Sequence, residues 1–142
     1  MAATSETRPV GFVPLGIFFF FGTTMASYAA LTLAFPGTFL DAAWRLNPEG
    51  HAAVASLGRI MALPLLFLAF ALFCAGLGWF RRRRWGWLLG VALIAINLAG
   101  DLFNLVFRHE LLKGTVGVAI AGLLLTYMNR VKVRNYLRQN AA

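Results

Sequence analysis

The chain has 142 residues, the length of one ordinary domain, but its composition excludes an ordinary soluble one. Hydrophobic residues make up 60% of it and charged residues 13%, with a mean hydropathy of +0.72; soluble domains carry roughly a quarter charged residues. The formal net charge of +8 would indicate nucleic-acid binding in a soluble protein. Here the basic residues stand at the ends of apolar runs and read as membrane anchors. We therefore expect no nucleic-acid partner.

The first apolar run, residues 12–35, is long enough to cross the ~30 Å hydrocarbon core of a bilayer as a helix. It is too long for the apolar core of a secretory signal peptide, so we expect a retained helix. Pro36 and Gly37 follow the run directly and predict its end, as these residues do past a helix C-terminus. The chain therefore begins with one predicted span.

A short amphipathic helix is predicted after the first span. Thr38 and Asp41 resemble a capping box, and the apolar side chains that follow, up to Trp44, share one side of the helix. This pattern is typical of a helix that lies in the membrane interface. Residues 47–49, Asn-Pro-Glu, combine a cap, a first-turn proline and a first-turn acid. They predict a second helix, which we expect to continue into the next span.

Three further runs have about the length of a span: residues 58–80, 85–107 and 111–128. Pro64 lies inside the first of these runs and predicts either a kink or a free carbonyl that a neighbouring helix or water must satisfy. Only the arginines at 81–84 separate the first two runs, so these spans are expected to form a tight hairpin. Residues 129–142 then form a basic cytoplasmic tail that we expect to continue as a helix near the membrane surface.

The predicted fold class is an all-α membrane protein with four transmembrane helices and a short interfacial helix between the first and second. It forms a single domain, residues 1–142. Nine basic residues belong to the N-terminus, the hairpin turn and the tail, and four belong to the opposite side. Because basic residues favour the cytoplasmic side, we expect both termini in the cytoplasm and a multi-pass location in a bacterial inner (plasma) membrane. Anionic lipids of the cytoplasmic leaflet are then expected partners.

One face of the third span carries a group of polar side chains. Asp101 is the one acidic residue inside any apolar run, and at about 100° per residue Asn97 and Asn104 share its face. Arg108, two turns along the same helix, and Arg59, at the start of the second span, are candidate partners. An intramembrane acid marks either a proton- or cation-coupled site or a hydrogen-bonded network that locks helices together. Both interpretations stay open.

Small residues on the third and fourth spans indicate close helix packing. They are Gly86 and Gly90 on the third span and Gly117 and Ala121 on the fourth, the second pair with small-xxx-small spacing. The hairpin turn carries a second candidate site. Its arginines predict binding of anionic lipid or of an acidic partner, or an anchor that only fixes topology; they are Arg81, Arg82, Arg83 and Arg84.

The sequence offers no set of catalytic or metal-binding residues. It contains no Ser-His-Asp arrangement, no phosphate-binding glycine loop and no paired catalytic carboxylates. Two histidines, His51 and His109, and one cysteine, Cys74, are too few for a closed zinc site. Neither histidine is placed to face inward as an axial haem ligand. We therefore expect no enzyme, no cofactor and no metal.

We expect a protein that acts by contact, either an accessory or stabilising subunit of a larger membrane complex or a small homo-oligomer. The alternative is a small transporter or channel with a polar intramembrane site at Asn97, Asp101 and Asn104. Short loops are also seen in small multidrug exporters and fluoride channels, but a glutamate in the middle of the first span and a glycine-arginine filter motif are missing. We assign the chain to neither family. An enzyme acting on lipid ranks last, because no residue pattern supports it.

Overall fold

The computed structural model describes residues 7–56, 58–107 and 111–138, and helix is the only regular secondary structure within these ranges. The α-helices are α1 (Phe12–Ala34), α2 (Pro48–Ala55), α3 (Ala62–Phe80), α4 (Arg84–Phe107), α5 (Leu111–Met128) and α6 (Val131–Arg138). Two 3₁₀ segments, Phe39–Leu46 and Arg59–Met61, precede α2 and α3. The prediction of an all-α fold is confirmed.

Among the described residues, three helical stretches are long and apolar enough to cross a membrane: Phe12–Ala34, Arg59–Phe80 and Arg84–Phe103. A fourth is obtained if Gly114–Met128 and Val131–Arg138, which are bent by 54° relative to each other, count as one span. Several of the predicted spans therefore exist as apolar helices of sufficient length, and the structure gives three or four of them.

The chain divides into two compact units. The terminal unit joins the residues up to Phe19 with those from Cys74 onward, and the inner unit is Phe20–Phe73. The division falls inside α1 and α3, so each of these helices contributes residues to both units. In the terminal unit, α4 packs along α5.

A three-residue turn, 81–83, joins α3 to α4 and brings the two helices very close together. The N–H of Arg83 donates to the carbonyl of Gly78 at 2.8 Å, and the N–H of Arg82 donates to the carbonyl of Trp79 at 3.0 Å. These two bonds form a Schellman motif, in which Arg82 takes the left-handed position (φ 53°) that glycine usually holds. Gly78 and Gly86 then meet backbone to backbone, and a Cβ on Gly78 would lie 2.6 Å from the Cα of Gly86.

In the inner unit, α1 packs on α3, and the segment after α1 folds back on the helix. The rings of Phe20 and Phe73 meet edge to face at 5.7 Å. The Tyr28 hydroxyl donates to the carbonyl of Leu40, which ties the 3₁₀ segment to α1. The ring of Trp44 in that segment stacks on the ring of His51 in α2 at 5.3 Å.

Two expectations for the loop before α3 were wrong. The side chains of Thr38 and Asp41 do not form a capping box: the Thr38 hydroxyl donates back to the carbonyl of Phe35, and the Asp41 carboxylate accepts the N–H of Gly37 at 2.7 Å. The physical reason is that Thr38 ends the turn after α1, so its hydroxyl serves a carbonyl at the end of that helix. Asp41 satisfies the N–H of Gly37 in the same turn.

The second wrong expectation was a continuous helix from residue 48 into the second span. The helix α2 ends at Ala55, and Gly58 takes a positive φ of 70° before a 3₁₀ turn and the start of α3 at Ala62. Pro64 is therefore the third residue of α3 and not an interior one. Since N–H groups of the first turn have no intrahelical acceptor, proline costs little there, and the predicted kink has no cause.

Candidate functional site

An aromatic core holds together the basic segments of the terminal unit. Trp79 is completely buried, and its ring stacks on the ring of Phe12 at 4.8 Å. Its indole N–H donates to the carbonyl of Phe12 at 2.8 Å, which satisfies the polar edge of a buried tryptophan. The ring of Tyr136 in α6 meets Phe12 edge to face at 5.3 Å. The N-terminal end of α1, the C-terminal end of α3 and α6 therefore meet at one place.

The short helix α6 is amphipathic, and its apolar face is buried on the protein. Val133, Tyr136 and Leu137, with the i, i+3, i+4 spacing of one helix face, are at most 5% exposed. The guanidinium of Arg82 lies 4.2 Å from the centre of the Tyr136 ring, a cation–π contact between the hairpin turn and the tail. Residues 7–10, 81–84 and 130–138, called here the basic end, thus lie together.

A partly open cavity of about 510 Å³, called here the basic cavity, lies at the basic end. Arg8, Arg130 and Lys132 line it, and none of the eight described residues that line it is acidic. The Tyr127 hydroxyl oxygen is buried and has no hydrogen-bond partner among the described residues. This volume falls within the range of small-ligand sites, so the basic cavity is the best candidate for binding an anion.

An apolar groove of about 330 Å³ lies next to Tyr127, between α1 and α5. Its wall is almost wholly apolar and includes Leu15, Phe18, Ile120 and Leu124. Tyr127 lines both this apolar groove and the basic cavity. Gly11 permits this position, because a Cβ there would lie 3.1 Å from the Cζ atom of the Tyr127 ring. The basic cavity and the apolar groove therefore adjoin one tyrosine.

A second, smaller site of about 40 Å³ lies at the basic end, lined by Arg84, Trp87 and Arg134 among others. The Trp87 indole N–H donates to the carbonyl of Met128 at 3.1 Å and so satisfies one of the terminal carbonyls of α5. The guanidinium of Arg134 lies 5.8 Å from the Trp87 ring centre. These contacts tie the last turn of α5 and the start of α6 to α4.

The polar residues predicted on α4 are only partly brought together. The Asn97 amide donates to the Asp101 carboxylate at 3.0 Å, and this carboxylate lies against Gly117 of α5, where any Cβ would overlap it. Asn104 lies in α4, but its side chain is outside the described residues, as is Arg108. Arg59 is exposed in the inner unit. The contact between Asp101 and Gly117 couples the polar pair to the packing of α4 on α5.

The four small residues predicted to pack helices all lie at contacts within the chain. Gly86 lies against Gly78, and Gly90 lies against the ring of Phe19 and the side chain of Met128. Ala121 is buried, with 2% of its surface exposed. Gly117 lies against the carboxylate of Asp101. In the hairpin turn, Arg81, Arg83 and Arg84 are exposed, whereas Arg82 is half-buried under its contact with Tyr136.

The histidines and the cysteine do not form a metal site in the described part of the chain. His51 stacks on Trp44, Cys74 is a free, half-buried thiol, and His109 lies outside the described residues. Within 7–56, 58–107 and 111–138, no three His, Cys, Asp or Glu side chains are grouped so as to hold a metal ion.

Sequence reasoning missed the two aromatic residues on which the basic end depends, Trp79 and Tyr127. Both lie one turn or less from the end of an apolar helix and next to basic residues. That position is the signal that was available, because a tyrosine or tryptophan at a helix end has one polar atom that needs a partner. Their partners are distant in sequence, so spacing alone does not identify them. No protein-family model, no curated protein and no solved structure matches the chain.

Proposed function

We propose that the chain is an integral membrane protein of four spans that acts by contact, as an accessory or stabilising subunit of a larger membrane complex or as a small oligomer. In this proposal α1, the 3₁₀ turn with α3, α4 and α5 cross the bilayer, and α6 lies at its cytoplasmic surface. The 18 residues of α5 extend about 27 Å, close to the hydrocarbon thickness of a bilayer.

The observation that carries the proposal is the inverted burial along residues 62–75 of α3. Leu63 and Phe67 are 71% and 74% exposed, whereas Ala69 and Ala75 are 4% and 0% exposed. A helix of a water-soluble domain has the opposite arrangement, because burial of large apolar side chains drives its folding. A large exposed apolar surface indicates contact with a membrane or with other proteins. Hydrocarbon and neighbouring membrane helices are the surroundings that this arrangement fits.

A specific face of α4 is open for such a contact. Gly86 and Gly90 of α4 already contact other parts of the same chain. A partner helix therefore needs a different surface of α4. Ala92, Ala95 and Ala99 share the opposite face of α4, and all three are exposed. Ala95 and Ala99 have the small-xxx-small spacing that lets a second helix approach closely. The test is therefore directed at Ala99.

The test is the native mass of the full chain after mild solubilisation from its own membrane. We expect a complex or oligomer well above the 15.6 kDa of one chain. Ala99→Leu should dissociate it, whereas Ala119→Leu, the same substitution at an exposed alanine of α5, should not. A lone monomer with nothing attached would overturn the proposal. An unchanged complex in Ala99→Leu would exclude this face.

The second candidate function is transport, and one observation favours it: Asn97 is exposed and Asp101 is half-exposed inside an otherwise apolar helix. Ion flux in proteoliposomes under a pH gradient distinguishes the two functions. If the pair only packs helices, Asp101→Asn keeps an acceptor for the Asn97 amide and changes no flux, since no flux depends on it. Flux in the wild-type protein that Asp101→Asn abolishes would establish transport instead.

A further inference from the structure

The basic cavity and the apolar groove together have the two properties of a phospholipid site. One is a group of three cations, Arg8, Arg130 and Lys132, contributed by the N-terminal segment and by the residues around the start of α6. The other is an apolar wall between α1 and α5 that extends along the helices. From Ile120 to Tyr127 the wall of α5 covers about 10 Å, at a rise of about 1.5 Å per residue.

We infer that the terminal unit binds one phospholipid with an anionic headgroup, which lies in the basic cavity while an acyl chain occupies the apolar groove. The inference rests on the proposed membrane location but not on the proposed role as a subunit. Charge complementarity selects the headgroup, because the described residues that line the cavity include three cations and no acid. The basic cavity and the apolar groove adjoin each other at Tyr127, which lines both. A ligand with an anionic headgroup and an acyl chain can fill both, whereas a free phosphate fills only the cavity.

The Tyr127 hydroxyl identifies the point where headgroup and chain join. Its oxygen is buried without a partner in the described part of the chain. A phosphate or glycerol oxygen in the basic cavity would accept a hydrogen bond from this hydroxyl, and a bond to the charged phosphate would be the stronger one. Below the hydroxyl, the ring of Tyr127 and the side chains of Phe18 and Leu124 offer an apolar surface to the chain. The amphipathic tyrosine therefore matches the boundary between the polar and apolar parts of the lipid.

The experiment is a lipid titration of the full-length chain, purified in a neutral detergent and read by native mass spectrometry. The probes are dioleoyl phosphatidylglycerol, dioleoyl phosphatidylcholine and the water-soluble glycerol 3-phosphate. We expect one tightly bound phosphatidylglycerol per chain and weak binding of the other two. Equal binding of phosphatidylcholine, or glycerol 3-phosphate binding as tight as that of the lipid, would overturn the inference.

Matched variants test each half of the site. Arg130→Gln should lower the affinity for phosphatidylglycerol about fivefold, whereas Arg81→Gln, with the same charge change outside the cavity, should leave it unchanged. Leu124→Trp should fill the groove and abolish binding, whereas Leu123→Trp, at a neighbouring exposed position, should not. Equal losses within either pair would show non-specific attraction and contradict the inference.

Tyr127→Phe gives a readout that a merely structural role would not produce. Since the hydroxyl has no partner among the described residues, its removal should not lower stability without lipid. Lipid affinity should nevertheless fall about tenfold. A loss of lipid-free stability with unchanged affinity would contradict the assignment. The same spectra report the mass of any complex, so loss of the lipid and loss of the partner are separate results.

Discussion

The contact of Gly78 with Gly86 at the hairpin turn makes the most direct prediction about the fold. The substitution that tests it is Gly86→Ala. The new Cβ would overlap the backbone of Gly78 and Trp79, and backbone atoms cannot rotate away as a flexible side chain can. The three-residue turn prevents the helices from separating near it. We therefore expect an overpacking cost of about 1–3 kcal/mol, partly offset by about 1 kcal/mol of gained helix propensity.

Gly100 provides the control on the same helix, because nothing lies within 4 Å of a Cβ built there. Gly100→Ala gains the same helix propensity without the overlap, so the difference between the two variants isolates the overlap cost. Thermal unfolding of the purified chain, followed by circular dichroism, should give Gly86→Ala a Tm about 3–10 °C below that of Gly100→Ala. Equal midpoints would refute the close approach of α3 and α4.

Two further predictions concern the aromatic and cationic contacts of the basic end. Trp79→Phe removes the hydrogen bond to the buried end of α1 and should cost about 1–3 kcal/mol in the same unfolding assay, more than Trp87→Phe, whose bond is only partly buried; the reverse order would contradict the core described here. Arg82→Gly loses a cation–π contact that stabilises the fold by about 0.5–1 kcal/mol. It also relieves the strain of a non-glycine residue in the left-handed conformation, which costs about the same, so the free energy of unfolding should be unchanged. Arg82→Gln loses the contact and keeps the strain, and it should be the less stable of the two; an Arg82→Gln as stable as the unsubstituted chain would show that the ring contact contributes nothing.

The helix bounds follow from local sequence, which is why most of them were predictable. The apolar runs have the length of a span, and Pro36, Gly37 and the arginines of the turn interrupt them. The break before α3 was missed because Gly58 acts through a positive φ, a property of backbone conformation that hydropathy does not encode. The position of Pro64 in a first turn follows from that break.

The candidate site was predictable only in part, because its geometry depends on contacts between residues far apart in sequence. The basic charge of the turn and of the tail was visible as composition. The stacking of Trp79 on Phe12, and the position of Tyr127 between a cavity and a groove, depend on how α1, α3, α5 and α6 meet. No periodicity within one helix contains that information. The Asn97–Asp101 hydrogen bond, by contrast, follows directly from i, i+4 spacing.

The proposed function requires that apolar helices cross a membrane and leave the basic end in the cytoplasm. Cys74 is the one cysteine, so Cys74→Ser gives a cysteine-free background for accessibility labelling. Single cysteines are then placed at Ala42, exposed in the 3₁₀ segment after α1, and at Asn135, exposed on α6. A membrane-impermeant maleimide should label position 42 in intact cells and position 135 only after the cells are opened. Labelling of both positions in intact cells, or of neither until lysis, would contradict the proposed topology.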